Sequence, residues 1–148
     1  MILWRVSNYR ALDGIGGLHV SGRWHSKGHP VVYCTWNPAT ALLETLVHME
    51  IDSEDRPAQF QVLKIERPDS LSIEKVDTGE LPPDWTEDIS CTQSIGDRWL
   101  AEGRSLLLDV PCVLVPETSN LLVNPAHSEA RLLKIAAIYE HPFDPRLL

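Results

Sequence analysis

Paired cysteines, long apolar runs and clustered positive charge are all scarce in this chain, and each scarcity narrows its class. The 148 residues include three cysteines, Cys34, Cys91 and Cys112. The number is odd and no Cys-x-x-Cys pair occurs, which argues against a disulfide framework and against a zinc site. Reduced thiols in a cytoplasmic protein are the expectation. No stretch approaches the roughly 18 apolar residues that a membrane span needs. The opening MILWRVSNYR has no basic segment leading into an apolar one, so no signal peptide is expected. Lysine and arginine number 13 against 21 aspartates and glutamates, a net charge of −8. The cations are scattered, with Arg23–Lys27 the nearest approach to a cluster. Direct nucleic-acid binding is therefore not expected, whereas a partner with a basic surface is easy to accommodate. Metal chemistry is not expected either. His19, His25 and His29 lack ligand spacing and fall in a loop, where solvated histidines are expected.

What is present is a folding composition: 43% hydrophobic and 23% charged residues, enough for one domain over residues 1–148. Leu3–Val6 reads as a short strand, and a glycine-rich loop with Gly14, Gly16, Gly17, Gly22 and Gly28 follows. Val31–Thr35 is β-branched and aromatic, a strand signal. Asn37-Pro38 is a helix start, Asn as cap and Pro at the first helical position, and the helix is expected to reach about Glu50. Gln59–Glu66 and Leu71–Ile73 read as strands, and Thr92–Glu102 as a helix ended by Gly103. Ser105–Val110, Cys112–Val115 and Asn120–Val123 are short apolar runs separated by prolines or polar residues and are predicted as strands. Arg131–Tyr139 suits a buried strand or a helix; strand is the reading adopted. Strands outnumber helices without regular alternation, which points to α+β rather than a doubly wound sheet.

Three side chains in the segment Ser21–Glu50 carry the chemistry: a cation, an aromatic face and a carboxylate. On a helical wheel, Leu42, Leu43, Leu46, Val47 and Met49 form the apolar stripe, and Glu44 falls off its centre near Ala41 and His48. It reads either as a solvated residue pairing with His48 at i,i+4 or as a carboxylate lining a cleft. Tyr33 is either a core aromatic or a stacking platform. Arg23 is either a surface ion-pair partner or a bidentate phosphate anchor. Taken singly, each favours the plainer role.

Their order and spacing carry more. Arg23 precedes Tyr33 by 10 positions and Tyr33 precedes Glu44 by 11. The sequence offers Trp4-Arg5, Ser21-Gly22-Arg23-Trp24, Pro30-Val31-Val32-Tyr33 and Ala41-Leu42-Leu43-Glu44 in turn. It continues with Val110-Pro111-Cys112, then Asn120-Leu121-Leu122-Val123-Asn124-Pro125-Ala126-His127, and closes on Asp144-Pro145-Arg146-Leu147. In this order over nearly the whole chain, these segments resemble the RES domain family, named for its Arg, Glu and Ser positions. One position departs: Cys112 stands where the family usually has Ser after Val-Pro.

The resemblance implies an ADP-ribosyltransferase-like fold, a split mixed β-sheet core with flanking helices, that uses NAD+ as substrate without a metal. It implies a toxin of a bacterial toxin–antitoxin pair, dimeric and covered at its active site by an Xre-type helix-turn-helix antitoxin. Carried onto this chain, it implies Glu44, Arg23 and Tyr33 as catalytic residues and Arg23, Tyr33, Cys112 and Asn124 as NAD+ contacts. Cleaving the nicotinamide–ribose bond develops positive charge on the ribose, which a carboxylate at Glu44 would stabilise. Tyr33 would stack on the nicotinamide and Arg23 would hold the phosphate or ribose side. Two other readings stay open: transfer of ADP-ribose to a protein, and an antitoxin-binding domain weakened in catalysis by Cys112.

Overall fold

The β-branched run around Val32 becomes the central strand of the sheet. A computed structural model describes residues 1–49 and 57–147. Seven strands form one mixed sheet in the order β4-β5-β6-β2-β1-β3-β7. They are β1 (Ile2–Val6), β2 (Val32–Thr35), β3 (Gln59–Glu66), β4 (Ile73–Lys75), β5 (Leu107–Pro111), β6 (Ser119–Val123) and β7 (Lys134–Pro142). Among the described residues three α-helices accompany them: α1 (Gly16–His19), α2 (Pro38–His48) and α3 (Ile89–Glu102). All strand pairs are antiparallel except β4 with β5.

Side chains alternate across β2. Val32 and Cys34 enter one core layer with Leu3, Leu63, Ile65, Leu107, Leu121 and Val123. Tyr33 faces the other layer, where Trp24, Val31, Trp99, Leu108, Val110 and Leu122 pack with α3 residues Ile95 and Leu100. Helix α2 crosses the β1–β2 junction and buries Ala41.

The helix signals hold. The Asn37 side chain accepts from the Thr40 amide at 2.8 Å and Pro38 occupies the first turn. The helix ends at His48; Glu50, the expected end, lies outside the described residues. Gly103 closes α3 in the left-handed conformation, φ 61°. The start of α3 is three residues earlier than expected, because the Asp88 side chain accepts from the Cys91 amide at 3.0 Å and caps the helix there.

Several strand expectations shift, among them Ser105–Val110, where the strand is Leu107–Pro111. Cys112–Val115 is not a strand: the β5–β6 ladder ends at Pro111↔Ser119, and a loop with Glu117 at φ 61° reverses the chain. In the Leu71–Ile73 run the strand begins only at Ile73, while Leu71 packs into the core and the Ser72 hydroxyl donates to Glu129 at 2.6 Å. The ambiguous Arg131–Tyr139 run divides into a 3-10 turn, Ser128–Leu132, and strand β7.

The junction between β1 and β2 is one rung wide. Trp4 pairs with Thr35 and the ladder goes no further. An antiparallel continuation would place Arg5 opposite Cys34 and Val6 opposite Tyr33. Those four residues instead line a cavity. The sheet is thus continuous across one rung and open beyond it, which is the split the sequence resemblance implies.

Candidate active site

The cavity in that opening measures about 520 Å³, within the range of small-molecule sites. Arg23, Tyr33 and Glu44 all stand on its wall, joined by Arg5, Thr35, His48, Asn120 and the loop around Val113 and Leu114.

Glu44 comes from the inner side of α2, one turn after buried Ala41. Its Oε1 accepts from the Asn120 amide Nδ2 at 2.7 Å and from the Cys112 thiol at 3.2 Å. A carboxylate only accepts, so the NH2 end of Asn120 faces it. Burial, reinforced by the Glu44 carboxylate, raises the Cys112 pKa above its ordinary value and keeps the sulfur protonated as donor. The solvated pair with His48 does not form: among the described residues no ion pair joins Glu44 to His48.

Asn120, on β6 opposite Thr35, lines the cavity although its sequence position, at the edge of an apolar run, made it a weaker candidate than Asn124. Its Oδ1 is buried without a hydrogen-bond partner among the described residues, although its Nδ2 is bound. Cys112 touches Glu44 from behind and is not on the cavity wall. Asn124, an expected NAD+ contact, lies elsewhere: it is 3% exposed, accepts from the Ala126 amide at 3.0 Å and donates to the Leu100 carbonyl at 3.4 Å. Its side chain is committed to a turn and to the end of α3, where Asn-Pro turn chemistry puts it.

Arg23 sits in a loop that α3 grips along its length. Thr92 Oγ1 donates to the Arg23 carbonyl at 2.6 Å, and Gln93 Nε2 donates to the Gly22 carbonyl at 2.9 Å. The Ser26 amide donates to Asp97 Oδ1 at 2.9 Å, and the Ser26 hydroxyl donates to Asp97 Oδ2. Gly96 presses directly on the loop backbone; a Cβ there would lie 1.6 Å from the Trp24 carbonyl oxygen. The Arg23 guanidinium donates one bond, to the Thr86 carbonyl at 2.8 Å. Among the described residues no carboxylate pairs with it or with Arg5, so two cations at the cavity are open to an anionic ligand.

Tyr33 is anchored through its hydroxyl, which lies 2.6 Å from His25 Nδ1 and 3.3 Å from the Trp24 amide. Burial, the largest cause, raises its pKa, so the phenol stays protonated. His25 was expected to be solvated, yet it is only 3% exposed. Its Nε2 lies 2.9 Å from the Val20 carbonyl.

A small α+β sheet opened at its centre, with arginine, tyrosine and glutamate on the walls of the opening, is the class that fold and site define. The RES domain profile matches residues 2–144, and the chain belongs to that family. It is 47% identical over 135 residues to "Toxin Res" of Pseudomonas putida, spanning 91% of this chain and 92% of that protein. It is 37% identical to "Prs ADP-ribosylating toxin" of Sphingobium sp., spanning 98% and 95%. In structure it resembles a chain of the M.tuberculosis MbcT-MbcA toxin-antitoxin complex, with TM-score 0.76 at 18% identity over 99% of this chain and 85% of the other.

Proposed function

We propose that this protein is the toxin of a toxin–antitoxin pair and that it cleaves NAD+ at the nicotinamide–ribose bond. The observation that carries the reading is the shared wall: a carboxylate, an aromatic ring and two cations, without an ion-pair partner among the described residues, face one cavity. The relatives named as toxins, and the one named for ADP-ribosylation, support it.

In the proposed reaction Arg23, with Arg5 near it, holds the diphosphate by charge-assisted bonds. The Tyr33 ring lies against the nicotinamide and sets its plane. As the glycosidic bond breaks, its electron pair leaves with nicotinamide, which departs neutral. The ribose becomes oxocarbenium-like, and the Glu44 carboxylate stabilises that charge. Asn120 and Cys112 hold one carboxylate oxygen, so Glu44 needs no reorganisation to act. Water attacks the ribose carbon and loses its proton, giving ADP-ribose.

Glu44→Gln keeps the shape and removes the charge. Purified E44Q is expected to consume NAD+ about 10²–10³-fold more slowly than wild type, the range for losing one electrostatic stabiliser. Wild-type turnover by E44Q would remove Glu44 from the role.

Transfer of ADP-ribose to a protein is the second reading, favoured by the name of the Sphingobium relative. Mass spectrometry of a lysate supplied with labelled NAD+ separates the two: free ADP-ribose favours hydrolysis, label on protein favours transfer.

The proposed partner is an Xre-type antitoxin seated over the cavity mouth. Val20 and Val47 line the cavity and are 67% and 55% exposed, and Leu114 beside them is 37% exposed. Such an apolar rim suits a covering protein.

A further inference from the structure

Buried His25 and half-buried Tyr33 form a pair whose protons can be placed from their partners. His25 Nε2 lies 2.9 Å from the Val20 carbonyl oxygen. A carbonyl only accepts, so Nε2 carries the hydrogen. In the neutral ring Nδ1 is then an acceptor, and the atom 2.6 Å from it is the Tyr33 hydroxyl, which must donate. The same hydroxyl oxygen accepts from the Trp24 amide at 3.3 Å. Every group is satisfied in this arrangement. With hydrogen on both ring nitrogens the Tyr33 hydroxyl would accept from Nδ1 and turn its own proton toward the cavity, the opposite arrangement at the substrate.

The surroundings are shaped for this contact. The Gly22 amide donates to the His25 carbonyl at 3.0 Å and closes the loop on itself. A Cβ on Gly22 would lie 2.5 Å from the Tyr33 hydroxyl and 2.9 Å from the His25 ring, so only glycine leaves room for the pair. Both rings also line the cavity.

We propose that His25 is a positioning residue: through Nδ1 it holds the Tyr33 hydroxyl, fixes the Tyr33 ring as a rigid wall of the cleft, and keeps the phenol proton from the substrate. Tyr33 then meets its ligand with its ring alone and does no acid–base work. The kinetic test rests on the NAD+ reading above; the proton arrangement does not.

Two amides dissect the contacts. The oxygen of an Asn at position 25 overlies Nδ1, and the nitrogen of a Gln overlies Nε2. His25→Asn therefore keeps the bond to Tyr33 and loses the bond to Val20, while His25→Gln does the reverse. H25N is expected to hold KM for NAD+ within about twofold of wild type. H25Q is expected to raise KM about tenfold, about 1.4 kcal/mol, with kcat changed far less. The opposite order, equal losses or no losses would overturn the proposal. The second measurement is 15N NMR of the wild-type imidazoles. The expected result is a neutral His25 with hydrogen on Nε2 and an Nδ1 resonance that moves in Tyr33→Phe. Hydrogen on Nδ1 would also overturn it. Wild-type protein that leaves NAD+ intact would defeat the NAD+ reading, and the NMR result would still decide the pair.

Discussion

Glu44 Oε1 receives one strong donor and one weak one. The Asn120 amide approaches to 2.7 Å and the Cys112 thiol to 3.2 Å. A hydroxyl makes shorter and stronger bonds to a carboxylate than a thiol does. Cys112→Ser is therefore expected to leave NAD+ consumption at or a few-fold above the wild-type rate, and Cys112→Ala to lower it about tenfold. A C112A enzyme as fast as wild type would show that the thiol is only filler. Cys34 makes a different prediction. Burial pushes its thiol from 9.0 up to about 12, so the folded protein keeps a proton that the unfolded chain releases above pH 9. Its contribution is whole below pH 9 and lost as pH rises toward 12, at about 1.4 kcal/mol per pH unit for one group. Urea midpoints should fall over that window, and Cys34→Val should flatten the fall. At this scale the sequence pointed to Arg23, Tyr33 and Glu44, which the fold brings to one cavity, but neither to the Asn120–Glu44 bond nor to a buried His25. Asn120 lies 76 positions from Glu44, too far for any local periodicity to join them. His25 lies in a loop that is buried by partners distant in sequence, α3 on one side and Tyr33 of β2 on the other.

Helix α3 matters to the site although it contributes no side chain to the cavity wall. Thr92, Gln93, Gly96 and Asp97 project from one face and hold residues 22–26 from behind. Gly96→Ala would force a methyl into the Trp24 carbonyl and is expected to cost about 3 kcal/mol. For a domain of this size that is a fall of roughly 6–12 °C in Tm, read by calorimetry. Thr92→Val removes one hydrogen bond to the Arg23 carbonyl and should cost about 1 kcal/mol, with a larger effect on KM than on kcat. Elements with local punctuation were legible. Gln59–Glu66 is a strand with the expected limits, and Asn37-Pro38 and Gly103 mark helix ends. Cys112–Val115 misled because its composition suits a strand while the flanking Pro111 and Pro116 and the left-handed Glu117 enforce a loop. Composition describes what a segment can form; the ladder that stops at Pro111 decides what it does form.

At the scale of the whole molecule, acidic charge and the apolar rim bear on partners together. A chain of net charge −8 should associate with a basic antitoxin faster at low salt, and a flat salt dependence would count against electrostatic steering. The exposed Val20 and Val47 sit at the mouth of the cavity. Val47→Asp is expected to weaken antitoxin binding at least tenfold, measured by titration, and an unchanged affinity would remove this rim from the interface. The α+β class was readable from the count and order of segments. The opening between β1 and β2 was not, since both strands have ordinary strand sequences and only their mutual divergence creates the space. That divergence has an energetic consequence. No ladder joins Arg5 and Val6 to Tyr33 and Cys34, so a ligand entering the gap breaks no β1–β2 pairing. The peptide groups that face it are held apart in advance by the ladders to β3 and β6 on either side.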